Sequence, residues 1–374
     1  MTFEIAPLSE LRERQSVKWQ KYGPDVLPLF VAEMDYPVAE PIKQAMIERI
    51  AADDVGYAMA PGPIGEAFAG FADRHWGWQV RPEYVRTTTD VSVAIVETLR
   101  RVISPGDGVV ITPPIYPPFF ELLPESGATT VEVPLLDDGS TYELDIDGID
   151  RAFRDGAKAI LIANPHNPSG ALFERLAELA EVAQRHGAVV VSDEIHGPLT
   201  HGETPFTPFL SISDAARAVG VTVTSASKSF NLAGAKCALM VAASEPMAAV
   251  LDGMWEEVTT RTSILGLHAN IAAFEQGDPW LADALDHIRT SADLLERLVA
   301  EHLPGVHYRR SGATYLAWLD FRDTDWGDDP TIRAMEAGVA LHPGPMFGKQ
   351  GAGFARLNLA CSADVLTEAI SRLG

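Results

Sequence analysis

The order of apolar runs predicts an α/β fold for this 374-residue chain, with a mostly parallel central sheet, flanking helices and a smaller α+β unit after it. Two observations carry that reading. Between about residues 84 and 275, short β-branched runs alternate with helical segments, as parallel strands joined by crossover helices require. Beyond about residue 275 the pattern changes to one long helical stretch and a further strand.

At the start, Val38, Ile42, Ala45, Met46 and Ile50 fall at helical intervals, and Asp35, Tyr36 and Pro37 suit a helix N-terminus, so an amphipathic helix over residues 37–50 follows an N-terminal arm. Strands are expected at residues 108–112, 129–133, 159–162, 188–192 and 221–224, where Val, Ile and Thr cluster. Leu172, Leu176, Leu179 and Val182 form a helical stripe between the third and fourth runs and supply the crossover. A helix over residues 281–303 and a strand at 313–319 build the smaller unit. The acidic stretch 320–329 fails the spacing of a calcium-binding loop and reads as a solvated loop before a helix opened by Pro330. The expected division is 1–45 as an N-terminal arm with part of the small domain, 46–275 as the large domain, and 276–374 as the small C-terminal domain.

Composition narrows the function. A chain that is 47% hydrophobic and 22% charged is an ordinary globular protein with a substantial core. With 52 Asp and Glu against 29 Lys and Arg, its net charge of -23 opposes nucleic acid and anionic membrane surfaces and favours a small-molecule substrate. Residues 1–10 have neither the basic nor the apolar region of a signal peptide, and no apolar run approaches the roughly 18 residues of a membrane span, so a cytoplasmic location is expected. Cys237 and Cys361 belong to no metal-spaced or CxxC pattern and are expected to be buried thiols, with no metal site.

In parallel sheets, ligands bind beyond the carboxyl ends of the strands, and three strand ends carry chemically informative residues. Residues 164–170 (Asn-Pro-His-Asn-Pro-Ser-Gly) form either a stiffened turn or a rigid mount that holds Asn167 against a ligand oxygen. Asp193, in Asp-Glu-Ile-His at 193–196, follows so apolar a strand that its carboxylate needs a cationic or donor partner; a helix cap or a structural salt bridge would also satisfy it. Ser225, Ser227 and Lys228 follow the next strand. Two hydroxyls there could cradle phosphate, a desolvated lysine could form a Schiff base, and a plain surface loop would show the same residue types.

Taken together and in this order, the three segments resemble the cofactor motifs of fold type I pyridoxal-5'-phosphate (PLP) enzymes, the aminotransferase superfamily, from about residue 27 to the C-terminus. Residues 27–36, 193–196, 227–234 and 345–348 more closely resemble the cystathionine β-lyase-like carbon–sulfur lyases. The resemblance implies that Lys228 holds PLP as a Schiff base and later acts as base, Asp193 keeps the pyridine nitrogen protonated, Asn167 bonds the ring oxygen, and Tyr116 stacks on the ring. It assigns the phosphate to Ser225, Ser227 and the helix N-terminus at Val91 and Ser92, the substrate carboxylate to Arg356, and Tyr57 to the neighbouring subunit's site in a homodimer with shared active sites.

Three positions depart from the commonest pattern. Asp90 stands where glycine is frequent, Lys236 where many aminotransferases have arginine, and His196 where many have tyrosine, as in the lyase branch; a histidine merely packed beside the cofactor would also suit position 196. The implied activity is α,β-elimination from L-cystathionine or another L-cysteine S-conjugate, to a thiol, pyruvate and ammonia. An amino-acid aminotransferase is the alternative, and the branch also includes proteins with a regulatory, protein-binding role beside catalysis. Pocket width is expected to depend on residues 58–63 and 341–351.

Overall fold

The structure, a computed structural model, describes residues 3–59 and 62–374. Seven strands form the main sheet: β1 (Val85–Thr88), β2 (Gly108–Ile111), β3 (Thr129–Glu132), β4 (Ala159–Ala163), β5 (Val189–Asp193), β6 (Gly220–Thr224) and β7 (Ala238–Val241). Their order is β1-β7-β6-β5-β4-β2-β3. β7 runs antiparallel to both its neighbours, and every other pairing is parallel.

β4 reads as a continuous apolar run, and β5 and β6 as runs rich in valine, because both faces of the sheet are covered. Along β4, Ile160 and Ile162 join one buried cluster while Ala159, Leu161 and Ala163 join the other. The five strands expected from sequence are present within a residue or so. β1 and β7 were not foreseen, since β1 is Val-Arg-Thr-Thr with a single apolar residue and β7 is Ala-Leu-Met-Val, three of whose four residues favour helix. Only their place at the sheet makes them strands.

The first long helix spans Glu40–Ala51, with Pro41 in its first turn, and so opens three residues later than expected. The reason is that Asp35 does not serve a helix end: it forms a fully buried ion pair with Lys18 at 2.7 Å. The crossover helix is Leu176–His186, and the long helix, at Asp278–His302, matches the expected one closely. The strand expected from residue 313 begins at Leu316, because Thr314 takes a left-handed φ of 69° and Ala313 bridges to Thr200 instead.

A second, antiparallel sheet of four strands lies in the C-terminal part, in the order His307–Tyr308, Leu316–Asp320, Phe354–Asn358 and His342–Pro343. The segment 27–36 ties the two sheets together. Leu27–Pro28 pairs with Val339–Ala340, the Asn358 amide holds the carbonyls of Val31 and Glu33, and Asn231 from the large-sheet side clamps Met34 and Tyr36. Following Asp320, the acidic loop is satisfied locally: Asp325 pairs with Arg333 at 2.8 Å, and Asp329 accepts from the Thr331 amide at the start of the Thr331–Glu336 helix. Among the described residues no cluster of His, Cys, Asp and Glu is placed to hold a metal ion, and no helix is long and apolar enough to cross a membrane.

Candidate active site

The register of the main sheet brings three of the expected segments to one level. Ala163 lies opposite Asp193 and Asp193 opposite Val223, so the three strands end at one level, with Asn164 and Ser225 just beyond them. Beyond these ends lies a cavity of about 900 Å³, closed on the far side by residues 30–32 and by the small antiparallel sheet. Of the twelve expected site residues, eleven line it; Tyr57 does not.

Lys228 sits in the short helix Ala226–Ser229, and its Nζ donates to the Ala32 carbonyl at 2.7 Å, an oxygen that also accepts from the Tyr315 hydroxyl at 3.0 Å. Burial, reinforced by the Arg356 cation, lowers its pKa to about 8. Asp193 Oδ1 accepts from the Ile195 amide at 3.1 Å, and burial pushes the carboxyl up to about 7 against the pull of that N–H and of Lys228. His196 is held neutral by burial and by the nearby Lys228 and Arg356 cations, with a pKa of about 3; its Nδ1 is buried without a partner. Tyr116 packs edge-on to Phe119, and burial raises its pKa, so the phenol keeps its proton.

Arg356 is the most constrained cation in the cavity. It belongs to the Phe354–Asn358 strand; its Nη1 donates to Asn167 Oδ1 at 2.9 Å and its Nη2 to the Phe30 carbonyl at 3.2 Å and His342 Nδ1 at 2.9 Å. Its Nε is buried with no partner. With Oδ1 of Asn167 taken, the amide NH2 of that side chain is the group left to meet a ligand acceptor.

The side expected to meet a phosphate differs in part from expectation. Val91 and Ser92 open the Val91–Val102 helix as foreseen. Asp90 caps that helix through Oδ1, which accepts from the Val93 amide at 3.1 Å, while Oδ2 pairs with Lys236 at 3.3 Å. The aspartate is thereby turned to its own helix and to a cation. Ser225 departs from its expected role as a hydroxyl donor: its Oγ accepts from the Ser227 amide at 3.0 Å and donates to the Cys237 carbonyl at 2.6 Å, so its proton is committed to the backbone. Ser227, in the single helical turn that Ser225 caps, also lines the cavity.

Tyr57 is 98% exposed and lies beside Glu257 and Arg261, away from the cavity. In the expected width-setting loop 58–63, Ala60 and Pro61 lie outside the described residues. The other such loop, 341–351, contributes Leu341, His342, Pro343 and Met346 to the wall. Cys237 and Cys361 are buried free thiols, pushed up to about 12 by burial.

Two functional groups escaped the sequence reading. His342 faces Arg356 in the antiparallel register, a pairing that no local motif signals. Glu194, beside Asp193, is buried beneath the site; its Oε1 accepts from the Phe209 amide at 2.7 Å and from Ser192 Oγ at 2.9 Å, and burial pushes its pKa up to about 8. An acid immediately after Asp193 on an apolar strand was the available signal.

The family model described as "Aminotransferase class I and II" matches residues 24–373. The chain is 33% identical to cystathionine beta-lyase of Corynebacterium glutamicum, covering 98% of each chain, and 33% identical to cystathionine beta-lyase PatB of Bacillus subtilis (strain 168), covering 96% of each. The crystal structure of cystalysin from Treponema denticola, which contains pyridoxal 5'-phosphate, superposes with a TM-score of 0.93 over all of this chain and 98% of that one; at 24% identity the likeness is one of fold.

Proposed function

We propose that this chain, which belongs to the aminotransferase class I and II family, is a PLP-dependent carbon–sulfur β-lyase acting on L-cystathionine or related L-cysteine S-conjugates. The observation that carries the reading is the convergence of Lys228, Asp193, Asn167 and Arg356 on one enclosed cavity, in a chain whose full-length relatives are named cystathionine beta-lyases.

The residues fit PLP. The cavity offers a primary amine held below its usual pKa, a buried carboxyl at its floor, an unpartnered buried His196 Nδ1, and at one edge a helix N-terminus with Ser227 and Lys236 for a phosphate. When bound, the cofactor supplies the electron sink that makes loss of a substrate α-proton possible. Lys228 would anchor it; Asp193 would sit at the pyridine nitrogen, and Asn167 would donate its amide N–H to the ring oxygen. Tyr116 would cover one ring face. Ser225 would act at one remove, fixing the turn on which Ser227 and Lys228 stand.

The chain's own groups then divide the work of elimination. Arg356 takes the substrate carboxylate; the unsatisfied Nε marks the guanidinium edge still open, and Asn167, Phe30 and His342 fix the plane of the rest. Lys228, with a pKa lowered to about 8, can exist as a free amine near neutral pH and so remove the proton from Cα. The electron pair left on Cα forms the Cα–Cβ double bond as the Cβ–S bond breaks, and sulfur departs with both bonding electrons. Lys228, once protonated, or the phenol of Tyr116 supplies the proton that sulfur needs. The unsaturated amine released is hydrolysed to pyruvate and ammonia.

Tyr57 supports a homodimer in this reading: a wholly exposed tyrosine outside its own cavity can serve the partner's phosphate site. The test is a PLP titration of wild type and of Lys228→Ala. The wild type should gain a visible absorption band at one cofactor per chain and release pyruvate from cystathionine; Lys228→Ala should gain no such band and lose at least about 10²-fold in rate. A wild type that gains no band disproves the assignment of Lys228.

A further inference from the structure

The cavity of about 900 Å³ is also lined by the side chains of Tyr22, Phe30, Ile332, Met335 and Met346, which take no part in holding the cofactor or the cysteine moiety. Set in that apolar wall are two charges of opposite sign, Lys21 and Glu336. Neither has an ion-pair partner among the described residues, although both are exposed in a chain whose basic side chains are mostly paired. Nor are they paired with one another. Lys21 Nζ lies instead over the rings of Phe30 and Tyr22, at 4.9 and 5.4 Å from their centroids.

Phe30 links this cation to the inner one. Its carbonyl accepts from Arg356 Nη2 and its ring carries Lys21, so the two positive charges bracket a single residue along the cavity wall. His342, which accepts from Arg356, has its pKa lowered to about 3, first by burial and then by both cations. A substrate whose α-carboxylate rests on Arg356 therefore shares the cavity with a second ammonium, across Phe30, and with the Glu336 carboxylate.

We propose that Lys21 and Glu336 form a distal subsite that reads the far end of the substrate, Lys21 taking a carboxylate and Glu336 an ammonium group. The subsite selects S-conjugates whose thiol half is itself an amino acid over those with a plain alkyl group. This rests on the lyase reading above and extends it, since elimination itself needs neither residue.

The test uses PLP-loaded enzyme and three conjugates, each followed by pyruvate release: L-cystathionine, S-(2-carboxyethyl)-L-cysteine and S-ethyl-L-cysteine. Lys21→Gln should lower kcat/KM about fivefold to tenfold for the two conjugates with a distal carboxylate, mainly through KM, and leave S-ethyl-L-cysteine within about twofold. Glu336→Gln should affect cystathionine alone. Equal losses on all three conjugates, or no loss on cystathionine in either variant, would overturn the subsite. Wild-type enzyme that releases pyruvate from none of the three overturns the lyase reading, and this inference with it.

Discussion

At the scale of single residues, the site depends on shifted proton affinities. A lysine must be unprotonated to bond the cofactor, and burial lowers the Lys228 pKa to about 8. The rate at which cofactor-free protein captures PLP should therefore rise with pH from about 6, reach half its maximum near pH 8 and level off above about pH 9; stopped-flow absorbance would measure it, and a rate independent of pH over that range would contradict the assignment. Arg356 is held by three partners, and its planar fork has no equivalent in lysine. Arg356→Lys should raise KM and cost about tenfold to a hundredfold in kcat/KM, with the visible absorption of the bound cofactor retained. Most of these residues were legible because each stands directly after an apolar strand, where a polar side chain has no local reason to be. His342 was not: its role comes from lying opposite Arg356 across a sheet, and register between distant strands leaves no mark in a single sequence. Ser225 was found, but its hydroxyl proton goes to a backbone carbonyl twelve residues away, a contact that only the fold creates.

At the scale of elements, segment 27–36 is the part on which the cavity most depends. Its carbonyls at Phe30 and Ala32 receive Arg356 and Lys228, and its far end is fixed by the fully buried Lys18–Asp35 pair. Asp35→Ala should leave the buried Lys18 ammonium with only the Glu33 carbonyl as partner and no counter-charge, at a cost of about 3–5 kcal/mol in chemical denaturation; a change under about 1 kcal/mol would show that the pair is dispensable. Glu194 gives a second handle. Its folded pKa, about 8, lies above the unfolded value near 4.5, so the folded state binds more protons between those limits and this residue's contribution weakens as pH rises through the window. Glu194→Gln should remove that loss, so that the stability of the variant relative to wild type increases from about pH 4.5 to about pH 8. The parallel strands were legible because each holds a cluster of Val, Ile or Thr, and burial on both faces makes β4 apolar throughout. β7 was not, since Ala-Leu-Met-Val belongs as readily to a helix until its neighbours are known. The start of the first long helix was misplaced for a related reason: Asp35 looks like a helix cap in sequence and is a buried ion pair in space.

At the scale of the whole molecule, the proposed homodimer makes a distinct claim about Tyr57. If each Tyr57 serves the partner's cavity, Tyr57→Ala and Lys228→Ala place their defects so that a mixed dimer has one site with both changes and one with neither. Mixing the two impaired variants under conditions that exchange subunits should restore up to about a quarter of wild-type activity; no recovery, with exchange confirmed, would place Tyr57 outside the partner's site. The net charge of -23 was legible from composition, and the free cation Lys21 at the cavity mouth stands out against it. The central claim is elimination at Cβ rather than transfer of the amino group. The most direct measurement is the stoichiometry of products from L-cystathionine with PLP-loaded enzyme and no 2-oxo acid present. A β-lyase gives pyruvate, ammonia and free thiol in equal amounts over many turnovers; an enzyme that stops after one turnover, releases no thiol, and resumes only when a 2-oxo acid is added would be an aminotransferase.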